Sequence, residues 1–249
     1  MGDTVSARVV LVYPELLGTY GDRGNALVLA DGLRRAGLEA RIEAVAVGEP
    51  VPDDGAIYLL GGGEDGPQRL AAETLARERG LARAAEAGRP ILAVCAGLQL
   101  LGRSFVAEGR TVKGLGLLPV VSEPGRARAV GEVVLAPCVA IEQDLVTGFE
   151  NHGGITRIEE GAMPFGRVLA GVGNGVGGVD GVVSGSILGT YLHGPVLARN
   201  PGLVAWLLRR AGVEPAPPSA LARALAEERI RSVVARERLP RWQRPARLR

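Results

Sequence analysis

The sequence predicts an α/β protein with a mostly parallel central sheet flanked by helices, on three observations. Short apolar runs of strand length recur through the first half of the chain. Amphipathic helical stretches separate them, which is the pattern of parallel strands covered on both faces. After residue 110 the texture changes to short β-prone runs between glycine-rich turns, which predicts an antiparallel or mixed extension of the same sheet.

Taken in order, residues 8–13 (RVVLVY) form a strand closed by Pro14. The turn-rich GTYGDRGN leads into a helix near 24–37 that ends at Gly37. Residues 39–47 suit a second strand, and AIYLL (56–60) a third, stopped by glycines at 61–63. A long helix is expected over 67–87, then a buried strand, PILAV (90–94), after which AGLQLLGRSF turns back into helix. VGEVVLAP, LVTGFEN, GRVLAGV and SILGTYLHG are β-prone, and no helical period appears until about 201. One domain is expected over 1–212. A Pro-rich break (EPAPPS, 214–219) precedes an Ala/Arg/Glu helix and a basic tail, RWQRPARLR, so that 213–249 is either a partner-docking element or a solvated helix end.

Composition excludes several classes. A chain of 249 residues that is 47% apolar is neither disordered nor fibrous. A net charge of +2 gives no global attraction to nucleic acid or an anionic membrane. Two cysteines, Cys95 and Cys138, make neither a disulfide framework nor a metal-ligand spacing, and Cys138 lies in no motif and reads as structural. With no transmembrane run and no signal-peptide pattern, a reducing cytoplasm is the expected location. Gly2 and Ser6 fit a loose myristoylation pattern, but no second anchoring signal accompanies them.

The most informative stretch is ILAVCAGLQLLG. Apolar strand residues run straight into Cys95, and small residues and a helix follow, the form of a nucleophile elbow. Ala96 and Gly97 leave room for a sharp turn and for substrate. A helix N-terminus beyond Cys95 is expected to favour thiolate over thiol. Alone, this segment fits a buried small residue at a strand end about as well as a nucleophile.

Two nucleotide-loop patterns are decoys. GGGEDG (61–66) would set Glu64 and Asp65 against a pyrophosphate, and GNGVGG (173–178) is followed by strand-like sequence. No G-x-x-x-x-G-K-[ST] exists, Lys113 being the only lysine.

VCAGLQLLG resembles the C-x-G-x-Q elbow of class I glutamine amidotransferases, with Cys95, Gly97 and Gln99 in register. The resemblance implies a flavodoxin-like fold and a glutaminase. LLGGGED then corresponds to the glycine turn whose backbone N–H, from Gly62 or Gly63, joins that of Ala96 in an oxyanion hole. GTYLHGP supplies His193 as the proton carrier. Most members carry Glu two residues after this His; here Pro195 stands there, so the enzyme is either a dyad or takes its orienting carboxylate from elsewhere.

YGDRGN, GGGED, CAGLQLLG, FENHGG and GTYLHGP together resemble the glutaminase subunits of lipid II isoglutaminyl synthase, with the cobyric acid synthase glutaminase domain as the nearest relative. The free-standing length of the chain favours the first. This likeness implies that Arg128 (in RAVGEV) binds glutamine, for which a guanidinium suits an α-carboxylate; a solvated loop arginine is the plainer reading. Gln99 is expected to line the pocket, with Asn151 or His152 near it. It further implies no cofactor on this chain, and a Mur-ligase-like (MurT-type) partner in a heterodimer, carrying ATP and Mg and amidating D-glutamate of lipid II. The rival readings are a DJ-1/PfpI-like protein, which usually has His directly after its Cys where Ala96 stands here, and a catalytically silent scaffold.

Overall fold

The computed structural model describes residues 6–236. Its first sheet is built from β1 (Ser6–Val12), β2 (Glu39–Val45), β3 (Ile57–Leu60), β4 (Ile91–Val94), β11 (Val182–Ser184) and β12 (Ile187–Thr190), in the order β11-β12-β4-β3-β1-β2. All neighbours are parallel except the β11–β12 hairpin. Every residue of β3, β4 and β12 is buried, as expected of central strands covered on both faces. The helices are α1 (Arg23–Arg35), α2 (Asp65–Glu78), α3 (Gly80–Glu86), α4 (Ala96–Leu101), α5 (Val196–Arg199), α6 (Pro201–Arg210) and α7 (Ala220–Arg236). None among the described residues is long and apolar enough to cross a membrane.

Only β11 and β12 of the β-rich segment extend the first sheet as the sequence suggested; the rest of the segment does not. It makes a second one from β5 (Ser104–Ala107), β6 (Arg110–Lys113), β7 (Val120–Pro137), β8 (Val146–Ile158), β9 (Gly166–Ala170) and β10 (Val179–Asp180). The order is β10-β9-β7-β5-β6, with β8 also paired to β7. The edge beside β12 is closed by β11 through a tight turn at Gly185 (φ 57°), so the long β7–β8 ladder pairs within itself.

Three helix boundaries also differ from expectation. The helix predicted over 67–87 breaks at Arg79, whose φ is 58°, because Gly80 lies against the Val51 carbonyl where a Cβ would come within 2.0 Å. The helix after Cys95 ends at Leu101, not Phe105. Gly102 is extended and packed against Val120, and Ser104–Ala107 pairs with Arg110–Lys113 across Glu108 and Gly109, both at positive φ. The four-residue α5 begins at Val196, before the helical period expected from 201. The last helix, α7, is packed on the second sheet, with Ile230, Val233 and Val234 clustered with Val134 and Leu145. The basic tail lies outside the described residues.

Candidate active site

Cys95 sits between β4 and α4 with φ 53° and ψ −105°, a conformation that costs a non-glycine residue of order 1–3 kcal/mol. The fold holds it there. Its N–H donates to the Thr190 carbonyl at 2.8 Å, tying the elbow to the end of β12. The Gly97 N–H donates to Gly61 at 3.2 Å, and a Cβ on Gly97 would stand 2.9 Å from Leu60. The glycine is therefore needed for close approach of α4 to β3, and the turn has the geometry of a nucleophile elbow.

The environment of the thiol is the reverse of what a helix N-terminus predicts. Burial, joined by the negative charge of Asp22, pushes the Cys95 thiol up to about 12. The Ala96 N–H and the Arg128 charge act in the opposite direction but do not win. Cys95 is only 7% exposed, and α4 is a six-residue helix whose dipole is short. The resting thiol is neutral.

The glycine turn after β3 is shaped by three close approaches. A Cβ would fall 2.1 Å from the Leu17 carbonyl at Gly61, 2.6 Å from His193 Cε1 at Gly62, and 2.4 Å from the Leu16 carbonyl at Gly63. Gly62 does not serve as expected from the sequence: its N–H donates to Asp22 Oδ2 at 2.8 Å. Gly63, by contrast, lines the cleft with Cys95 and Ala96.

His193 lies past the end of β12 rather than on a strand. Its backbone pairs with Phe149, the N–H donating at 2.7 Å. The ring is 2% exposed and packs at 4.7 Å against Tyr20. Its Nδ1 stands 3.6 Å from Asp22 Oδ2, itself 3% exposed. The carboxylate nearest His193 is therefore that of Asp22, from before α1, and not one two residues beyond the histidine. Pro195 does other work: it precedes α5 and packs on α1, where a Cβ on Gly24 would meet its ring at 2.4 Å. Asp22 and Tyr20 both lie in YGDRGN, which the sequence marks as a turn and as part of the family resemblance without giving either residue a role.

A cleft of about 270 Å³ opens beside Cys95, just below the range usual for drug-sized ligands. Arg128 reaches it from β7, donating from Nε to Asn151 Oδ1 at 2.7 Å and from a terminal nitrogen to the Tyr20 hydroxyl at 3.2 Å. Gln99 lines the wall but spends both ends of its amide on the protein. It accepts from Gln68 Nε2 and donates to the Tyr191 hydroxyl, each at 3.0 Å. That hydroxyl continues to Thr156 at 2.7 Å and on to Ser122 at 2.8 Å. Gln99 therefore braces the cleft. Asn151 and His152 also line it, His152 stacking on Tyr191 at 3.8 Å. Behind the stack lies the buried carboxyl of Asp180, which burial raises to about 6 despite hydrogen bonds from Thr190 and the Tyr191 N–H.

Cys138 is exposed, so it has no place in the core and does not fit the structural role expected of it. A larger apolar groove of about 370 Å³, between α1, α6 and the start of α7, holds neither cysteine nor histidine.

Residues 8–201 match the family of CobB/CobQ-like glutamine amidotransferase domains. The chain is 34% identical over 202 residues to the lipid II isoglutaminyl synthase (glutamine-hydrolyzing) subunit GatD of Staphylococcus aureus, covering 78% of this chain and 80% of that protein. With the subunit of the same name from Streptococcus pneumoniae it shares 31% over 205 residues, 80% of this chain and 78% of that one. Cobyric acid synthase of Pelotomaculum thermopropionicum is 34% identical over 193 residues, which is 70% of this chain but 36% of that enzyme. Among solved structures, a glutamine amidotransferase superposes with a TM-score of 0.55 at 22% identity, covering 82% of this chain and 99% of that one. The PurLQS structure from Thermotoga maritima superposes at 0.53 and 17% identity, covering 91% and 100%. Both show a shared fold.

Proposed function

Since the chain belongs to the CobB/CobQ-like glutamine amidotransferase family, we propose that it is the glutaminase subunit of a lipid II isoglutaminyl synthase, hydrolysing glutamine through a Cys95 thioester. The observation that carries the reading is the strained Cys95 elbow facing the same cleft as Gly63 and Ala96, with the charge of Asp22, the carboxylate 3.6 Å from His193 Nδ1, acting on the thiol.

In this mechanism the Cys95 sulfur attacks the carboxamide carbon as His193 takes the thiol proton. The oxyanion rests on the Gly63 and Ala96 N–H groups, each such donor being worth about 3 kcal/mol in the transition state. His193 returns the proton to the departing ammonia, leaving a thioester. It then activates water, which expels glutamate and restores the thiol. The Asp22 carboxylate faces the imidazole from 3.6 Å at Nδ1 and orients it during the proton transfers. Because the buried thiol is neutral at rest, proton transfer to His193 has to accompany substrate binding or attack.

Ammonia passes to a Mur-ligase-like (MurT-type) partner that carries ATP and Mg and amidates D-glutamate of lipid II to D-isoglutamine. Support for this acceptor, over a cobyric-acid type, is the likeness over about four fifths of the two GatD chains. The site of reaction is cytoplasmic, where Cys95 stays reduced.

The test is glutamate release from glutamine, measured for the chain alone and with its Mur-ligase-like partner. Weak activity alone, stimulation by the partner and loss in Cys95→Ala are expected. Wild-type turnover in Cys95→Ala overturns the mechanism, and no effect of the partner overturns the assignment.

A further inference from the structure

In the sequence Glu64 is an obstacle to a phosphate-binding loop, and it takes no part in the proposed thioester chemistry. Its position is nonetheless specific. It follows Gly63 directly, at the N-cap of α2, with an extended backbone (φ −87°, ψ 166°) and no side-chain cap to that helix. Its carboxylate instead lines the cleft and accepts from the Tyr20 hydroxyl at 2.8 Å. The same hydroxyl takes an N–H from Arg128 at 3.2 Å. One neutral group therefore links a cation and an anion that form no ion pair with each other or with any other described residue.

The other charged groups on the cleft are committed elsewhere. Asp65 accepts the Glu108 backbone N–H at 2.8 Å, and Glu123 pairs with Arg157 at 3.9 Å. Arg128 is the cleft's cation and Glu64 the carboxylate left to face it. Two opposite charges, held apart by one hydroxyl beside the nucleophile, match a molecule that carries both charges on one carbon.

We infer that Glu64 binds the α-ammonium group of the substrate, forming with Arg128 and Tyr20 a clamp for the zwitterionic head of a free α-amino acid. Resting on the glutaminase reading, it specifies that the site takes free glutamine and rejects ω-amides lacking the ammonium. Tyr20 positions the two charges, and its ring packs on His193, so that binding and proton transfer share one contact.

The test separates binding from catalysis. In the full-length chain carrying Cys95→Ala, affinities for L-glutamine and for glutaramate, the same amide without its amino group, are measured by calorimetry with and without Glu64→Gln. Glutamine binding is expected to weaken about 10- to 100-fold, the size of a hydrogen bond to a charged group, with glutaramate unchanged. Glu64→Asp is expected to recover part of the loss, and melting curves verify that each variant is folded. Equal effects on the two ligands, no effect on either, or no binding of glutamine at all overturns the clamp. Ammonia release by the chain with intact Cys95 is followed separately. Release with no Glu64 selectivity defeats the clamp alone, and selective binding without release, even with the partner, defeats the glutaminase reading alone.

Discussion

Asp22 Oδ2 lies 3.6 Å from His193 Nδ1 while it accepts the N–H of Gly62 at 2.8 Å. One buried carboxylate thus faces the imidazole and holds the glycine turn proposed to form the oxyanion hole. Asp22→Asn keeps an acceptor for Gly62 and removes the charge behind the ring. We expect kcat for glutamine hydrolysis to fall about a thousandfold or more with KM little altered, measured as glutamate formation at saturating glutamine. An unchanged kcat leaves His193 acting without Asp22.

Gly62 is the point where that turn touches the imidazole. A methyl group there would meet His193 Cε1 at 2.6 Å and the Tyr20 ring at 2.8 Å. Gly62→Ala should displace both rings and lower kcat about a hundredfold or more, since positioning errors of an ångström cost that much. The circular dichroism spectrum should be that of the wild type.

The two cysteines should separate in an alkylation experiment. Cys138 is exposed and Cys95 is buried with its thiol pushed up to about 12. At neutral pH, iodoacetamide should modify Cys138 about tenfold faster or more than Cys95, because only a thiolate reacts. A glutamine-analogue electrophile should reverse the order by entering the cleft. Peptide mass mapping reads both, and rapid iodoacetamide labelling of Cys95 in the folded chain would contradict its environment.

Asp180 makes a prediction about stability. Its folded pKa of about 6 lies above the usual value of 3.8, so the native state holds the proton more tightly than the unfolded one. That contribution is complete below about pH 4 and is lost as pH rises through 6, and it amounts to roughly 3 kcal/mol for a shift of this size. Asp180→Asn should gain stability relative to wild type by about that much between pH 4 and pH 7, in urea unfolding. A constant difference across this range would show that Asp180 titrates normally.

Much of the first sheet and its cysteine elbow was legible because the signals are local: apolar runs of strand length, then Cys95 between a strand and small residues. The second sheet was not, since β-prone runs report that a strand forms but not which edge it joins. Glu108–Gly109 is a tight turn without the usual Asn or Asp, which hid the short hairpin after Leu101. Arg79 takes a left-handed conformation that only its neighbours explain. At the site, the sequence suggested Arg128 and His193 through resemblance alone. Asp22 escaped because its approach to His193 joins segments far apart in the chain, and no local pattern marks an acid in a turn as the neighbour of a distant histidine. The choice of Gly63 over Gly62 likewise depended on where Asp22 lies.

The second sheet also sets a length. Arg128 stands on β7 and Cys95 at the end of β4, so the distance from anchor to sulfur is fixed by how two separate sheets meet and not by any one element. Under the proposed clamp the head of the amino acid is held at Arg128, and the cleft then measures its side chain. Asparagine, one methylene shorter than glutamine, is accordingly expected to be hydrolysed far more slowly. The packing between the sheets thereby acts as a ruler, and a side chain that wedges them apart would recalibrate it toward longer amides.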